Sequence, residues 1–181
     1  GFNPHSINLS PGSPSTSFRN NRDWIAAWRN AIKQDLPALP PRAAGDQRLR
    51  ELIAVHLHSA RGIDCSAENI IVTAGTSDGL ALTLQSQTGG ASGLRIATEN
   101  PGYPTARRVI RALGASPIPI PVRDGGIDVD ALKRAPGQID GALVTASHQY
   151  PLGGRLPVSA RLDLLAWSQE TGARIFEDDY D

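Results

Sequence analysis

The sequence predicts an α/β fold: a largely parallel, doubly wound sheet with helices on both faces. Three observations carry that expectation. Short β-branched and aliphatic runs recur at 69–73, 94–98, 141–145 and 173–176, with the near-continuous apolar character of strands buried on both faces. Segments of helical length, with apolar residues three and four positions apart, lie between them. Turn-forming Gly, Pro, Asn and Ser punctuate nearly every junction. Strand and helix in alternation imply crossover connections and hence parallel pairing.

Residues 1–22 are rich in Pro, Ser, Asn and Gly and read as an irregular entry segment around Ile7-Asn8-Leu9. Asp23 suits the cap of a helix reaching about Gln34, with Trp24, Trp28 and Ile32 on its apolar face. Pro37, Pro40 and Pro41 break the chain. A second helix is expected from about Asp46 to Ser59, striped by Leu49, Leu52, Ile53 and Leu57, with His56 beside the stripe as a packed or half-exposed side chain. The organisation read from this is an entry segment with the first helix over 1–45 and an α/β domain over 46–181.

Asn69-Ile70-Ile71-Val72-Thr73 reads as a buried strand, followed by a turn and a helix through about Gln85. Leu94 to Thr98 is the next strand. Pro104 suits a helix start and Gly114 its end, with Val109, Ile110 and Leu113 as the apolar face. The extended stretch Ile118-Pro119-Ile120-Pro121-Val122 is expected at a sheet edge, because proline donates no ladder hydrogen bond. Gly141 to Thr145 is another buried strand. Ser159 suits the cap of a helix that Gly172 ends, and Ala173 to Phe176 is the last strand.

Acidic and basic residues balance, 18 of each, to a formal net charge of zero. That excludes a basic nucleic-acid-binding footprint within these residues. No apolar run is long enough to cross a bilayer and no export leader opens the chain. Cys65 is the single cysteine, which excludes an internal disulfide and fits a reducing, cytoplasmic setting. Methionine is absent, and the chain reads as part of a longer polypeptide. Lys33 and Lys133 are the only lysines.

Ligands of open α/β sheets bind beyond the carboxyl ends of the strands, and four such ends carry unusual residues. In Thr73-Ala74-Gly75-Thr76-Ser77-Asp78-Gly79, Gly75 permits a tight turn, and the following amides and hydroxyls lie at a helix N-terminus suited to an anion. The same turn also reads as a capped helix start without a ligand. Gly75-Thr76-Ser77-Asp78-Gly79 further matches the G-x-S-x-G elbow of α/β-hydrolases, which would make Ser77 a nucleophile. Against that, His148 precedes Asp178 and Asp179, the reverse of the hydrolase order, and no oxyanion segment lies upstream.

Tyr103, in Glu99-Asn100-Pro101-Gly102-Tyr103-Pro104, is held between rigid turn-formers, either to stack on a planar ligand or to pack in its turn. Ser147-His148-Gln149-Tyr150-Pro151-Leu152-Gly153 gathers polar side chains where a buried strand surfaces. Glu177-Asp178-Asp179-Tyr180-Asp181 places four acids after an apolar strand. Such acids face solvent, a divalent metal or a protonated heterocyclic nitrogen. No histidine or second carboxylate cluster completes a metal shell, so a metal ranks below the ring.

These tracts, in this order, resemble the fold-type I pyridoxal-phosphate (PLP) proteins of the class I/II aminotransferase group. They look most like the MocR branch of GntR-type transcription regulators, in which a winged helix is fused to an aminotransferase-like domain. The Ser-His-Gln-aromatic-Pro and Glu-Asp-Asp-Tyr-Asp tracts are its most specific elements. The resemblance implies that residues 46–181 are part of a PLP-binding large domain. It implies that Gly75, Thr76 and Ser77 hold the cofactor phosphate and that Tyr103 stacks on the pyridine ring. Asp178 would pair with the ring nitrogen, with Asp179 as the alternative, and Tyr180 would hydrogen-bond the ring hydroxyl.

Tyr150 stands where ordinary aminotransferases carry an Asn that touches that hydroxyl, a departure that points to the regulator branch. The covalently binding lysine and a carboxylate-binding arginine are expected beyond Asp181, and the winged helix before Gly1. Neither Lys33 nor Lys133 has the context to replace that lysine. These 181 residues alone are therefore expected to lack transaminase activity and to bind PLP weakly and non-covalently at most. The implied whole is a homodimer that senses PLP with an amino-acid-like small molecule and binds DNA through its other domain. An active aminotransferase, moving an amino group between an amino acid and a 2-oxo acid, is the alternative.

Overall fold

A computed structural model describes residues 21–34, 40, 42–87 and 89–180. The entry segment around Ile7-Asn8-Leu9, the breaks at Pro37 and Pro41 and the terminal Asp181 lie outside the described residues. The chain divides after Val72 into two units.

In the first unit, α1 (Arg22–Ile32) is capped by Asn21, whose side chain accepts from the Asp23 amide. Asp23 therefore sits in the first turn and is not the cap. Helix α2 (Gln47–Arg61) starts at Asp46, whose carboxylate accepts from Leu49 N at 2.8 Å, and ends at Gly62 with φ +65°. The buried side chain of α2 is Arg50, which donates to the Ala67 carbonyl at 2.8 Å, while Leu49 and Leu52 are exposed. A 3-10 turn spans Ala67–Asn69.

The strand expected over Asn69–Thr73 is not formed. Ile71 is 62% exposed, and Val72 N donates to Ala44 O, a loop carbonyl. A β-branched run becomes a strand only where another strand accepts it, and none of the described residues does so here.

The second unit is the predicted α/β sheet. Its strands are β1 (Arg95–Asn100), β2 (Ser116–Arg123), β3 (Gly126–Ile127), β4 (Gly141–Val144) and β5 (Arg174–Glu177), in the order β3-β2-β1-β4-β5. β2, β1, β4 and β5 are parallel, and β3 is antiparallel to β2. Among the helices, α3 (Thr76–Gln85) and α4 (Pro104–Ala112) pack Leu80, Leu84, Ala106 and Ile110 on the face carrying Ile96. On the other face, α5 (Val129–Lys133) and α6 (Val158–Thr171) pack Leu132, Leu164 and Trp167 against Ala97, Ala142 and Val144. Neighbouring residues Ile96 and Ala97 thus serve opposite cores, the alternation a doubly covered strand requires.

Three details depart from expectation. β2 is outermost over most of its length, but beyond it Asp124 (φ +51°) and Gly125 (φ +93°) turn the chain into the β3 hairpin, which pairs with Val122 and Arg123. The segment around Lys133, to which no element was assigned, is the short helix α5, capped by the buried Asp128 and braced by Arg123 at 2.9 Å. Pro157, not Ser159, occupies the cap position of α6. Gly114 and Gly172 end α4 and α6 as expected, with φ +78° and +72°.

Candidate functional site

Parallel pairing brings the carboxyl ends of β1, β4 and β5 side by side. Thr98 pairs with Leu143, and Val144 with Glu177. The chain leaving β5 stays tied to β4, since Asp178 N donates to Val144 O at 2.9 Å. Thr98, Glu99, Tyr103, Ala106, Leu143, Thr145 and Asp178 line one cavity above these ends. Burial is the main cause that pushes the Asp178 carboxyl above its ordinary value of 3.8, and the neighbouring Asp179 carboxylate adds to it. A cationic partner in the cavity would offset both causes.

Tyr103 reaches the cavity because β1 ends in a forced bend. The Asn100-Pro101 peptide is cis. A Cβ on Gly102 would stand 2.4 Å from the Glu99 carbonyl oxygen, so only glycine fits. Pro104 then opens α4 directly behind Tyr103. The Tyr103 ring packs on the cluster of Leu80, Leu84 and Ile110, and meets the Tyr150 ring edge-on at 5.7 Å and 78°. Tyr150 therefore packs against Tyr103. The Tyr180 hydroxyl donates to the His148 carbonyl at 2.9 Å, with the two rings 6.3 Å apart. Asp179 is exposed beside Asp178.

The Gly75-Thr76-Ser77 turn opens α3, with Gly75 at φ +125°, a conformation that side chains rarely adopt. No side chain caps this helix. The Asp78 carboxylate turns back to accept from Ala74 N at 2.9 Å. The first-turn amides of Thr76 and Ser77 consequently keep the anion-binding character of an uncapped helix start. None of the three residues lines the Tyr103–Asp178 cavity; the turn connects to it through Leu80, which shares a cluster with Tyr103.

Sequence reasoning assigned no role to the buried polar network under these loops. The Glu99 carboxylate accepts from the Thr145 hydroxyl at 2.6 Å and from the Gln149 amide at 3.1 Å. That same amide donates to the carbonyls of Pro101 and Tyr150 at 3.0 and 2.6 Å. Glu99 and Gln149 thereby pin the Pro101–Tyr103 bend to the loop holding the second cis peptide, Tyr150-Pro151. The available signal was an acid placed at the last step of a buried strand, directly before Asn-Pro-Gly. No group of three or more metal-binding side chains occurs among the described residues.

The family model for class I and II aminotransferases matches residues 4–180. The chain belongs to that family. This aminotransferase-family chain is 42% identical, over 181 residues, to the HTH-type pyridoxine biosynthesis transcriptional regulator PdxR of Corynebacterium glutamicum, an alignment covering 98% of this chain and 38% of PdxR. It is 37% identical over 138 residues to the probable rhizopine catabolism regulatory protein MocR of Rhizobium meliloti, covering 76% of this chain and 27% of that one.

Among solved structures, an archaeal alanine:glyoxylate aminotransferase superposes with a TM-score of 0.75 at 26% identity, covering 86% of this chain and 40% of that one. The fold of this aminotransferase-family chain is thus that of the PLP-dependent aminotransferases, whose class is mixed α/β with a mostly parallel sheet. The chain spans well under half the length of these relatives.

Proposed function

We propose that this chain is part of the PLP-binding, aminotransferase-like domain of a MocR/GntR-type transcription regulator. In the intact homodimer, PLP with an amino-acid-like ligand would bias domain arrangement, and so DNA binding by a winged helix outside these residues, in the cytoplasm. The observation that carries the reading is that Tyr103 and Asp178 line one cavity in a chain 42% identical to PdxR.

The residues present fit the cofactor. An uncapped helix start at Gly75, Thr76 and Ser77 suits a phosphate dianion. An aromatic ring suits a flat heterocycle, and a carboxyl raised by burial gains from a ring N–H⁺. When bound, PLP supplies an electron-withdrawing ring, which its protonated nitrogen strengthens. Asp178 would hold that proton, with Asp179 as the alternative acid. Tyr103 would cover one ring face, and Tyr150 would keep Tyr103 in place. Tyr180, whose hydroxyl donates to the His148 carbonyl, would hydrogen-bond the ring hydroxyl.

A second reading, an active aminotransferase, is favoured by the 27% identity over 176 residues to the valine–pyruvate aminotransferase of Mycobacterium tuberculosis. The intact polypeptide separates the two. The regulator reading expects PLP-dependent retention of operator DNA, with little turnover of amino donors. Rapid transamination without DNA binding would replace it with the second reading. Failure to bind PLP at all would reject both.

A further inference from the structure

The cavity at the strand ends contains a side chain that the proposed cofactor contacts do not use. Thr98 is 4% exposed, lines the cavity together with Asp178, and its hydroxyl has no hydrogen-bond partner among the described residues. A buried hydroxyl left unpaired costs free energy, so native proteins satisfy nearly all of them with protein groups or ordered water.

Strand register shows which way Thr98 faces. It lies two residues beyond Ile96, which packs under α3 and α4, and so shares that face. Across the sheet it pairs with Leu143, and Leu143 with Phe176, both on the same face. Asp178 follows two residues after Phe176. Thr98 and Asp178 therefore approach one space from strands two apart, a lateral separation of roughly 9.5 Å between backbones. Their short side chains do not bridge that distance unaided, and no bond between them is formed.

Thr145 and Glu99, two further polar residues of the cavity, are already engaged. The Thr145 hydroxyl donates to Glu99 and accepts from Tyr150 N, while Glu99 accepts from Thr145 and Gln149. The wall between Thr98 and Asp178 is otherwise Ala106, Leu143 and the Tyr103 ring. A polar space with two open partners is what an ordered water requires.

We propose that Thr98 and Asp178 share one buried water, making Thr98 a positioning residue for the Asp178 carboxylate. The Thr98 hydroxyl donates to the water oxygen, and the water donates to the carboxylate. Thr98 thereby restricts the orientations Asp178 can present to a ring nitrogen. Its effect on cofactor binding rests on the PLP reading above; the water itself does not.

The test uses the intact polypeptide with Thr98→Val, which keeps the shape and removes the hydroxyl, and Thr98→Ser, which keeps the hydroxyl. Crystal structures of the cofactor-free protein should show a water within hydrogen-bond distance of Thr98 Oγ1 and Asp178, lost in Thr98→Val and retained in Thr98→Ser. Binding of PLP should be about fivefold weaker for Thr98→Val, the loss of one ordinary hydrogen bond, and restored in Thr98→Ser. A dry cavity overturns the proposal, as does unchanged affinity in Thr98→Val. Equal weakening in both variants also overturns it, since a variant that keeps the hydroxyl would then fail as badly as one that lacks it. If the wild type binds no PLP, the cofactor reading falls and the crystal structures alone decide the water.

Discussion

Asp178 is held in an environment that disfavours its own charge, which has consequences both with and without a ligand. Its folded-state pKa lies above 3.8 because of burial and Asp179. The charged form is therefore less favourable folded than unfolded, and the stability this group contributes is fully present below 3.8 and lost as pH rises through the raised value. Asp178→Asn should make the cofactor-free protein melt higher than wild type at neutral pH, with the difference closing below pH 3.8. The same variant should weaken PLP about ten- to hundredfold, the worth of one charged hydrogen bond; equal melting curves and equal affinity would remove Asp178 from the site. Glu99 is a buried acid supplied with donors. Thr145→Val removes the 2.6 Å hydroxyl from that carboxylate and should cost about 1.5–3 kcal/mol of unfolding free energy in denaturant titrations.

The bend after β1 is constrained by Gly102 and by the Gln149 amide bonded to the Pro101 carbonyl. Gly102→Ala would drive a Cβ to 2.4 Å from a backbone carbonyl. The expected cost is about 1–3 kcal/mol in chemical denaturation, with loss of the Tyr103–Tyr150 contact as a changed near-ultraviolet signal. Elements of this kind were legible in part. Turn chemistry and strand ends singled out Tyr103 and Asp178, because an aromatic between Gly and Pro, and acids after Ile-Phe, conflict with their surroundings unless something is bound. Thr98, Glu99, Thr145 and Gln149 stayed hidden, since their meaning lies in pairing across β1 and β4, which no local pattern expresses. The missed hairpin had a local signal in Asp124-Gly125. The run Asn69–Val72 misled for the reverse reason: its composition suits a strand, but a strand needs a partner.

Across the molecule, the alternation of patterns was sufficient to anticipate a parallel sheet covered on both faces. It did not anticipate that α1 would bury no side chain or α2 only Arg50, because an apolar stripe shows that a face exists without showing what covers it. One feature of the sheet bears on how such molecules coexist at high concentration. Ser116 N donates to Leu94 O beside β1, so alternate residues Pro117, Pro119 and Pro121 direct their ring nitrogens to the opposite margin. β3 occupies that margin only at Val122 and Arg123. Replacing Pro117 and Pro119 together with valine should leave the fold intact and increase light scattering on concentration; unchanged scattering would contradict this. Three imino acids in step deny a stray chain the donors it would need to zip alongside, and so guard the border of the sheet against fibrous self-association.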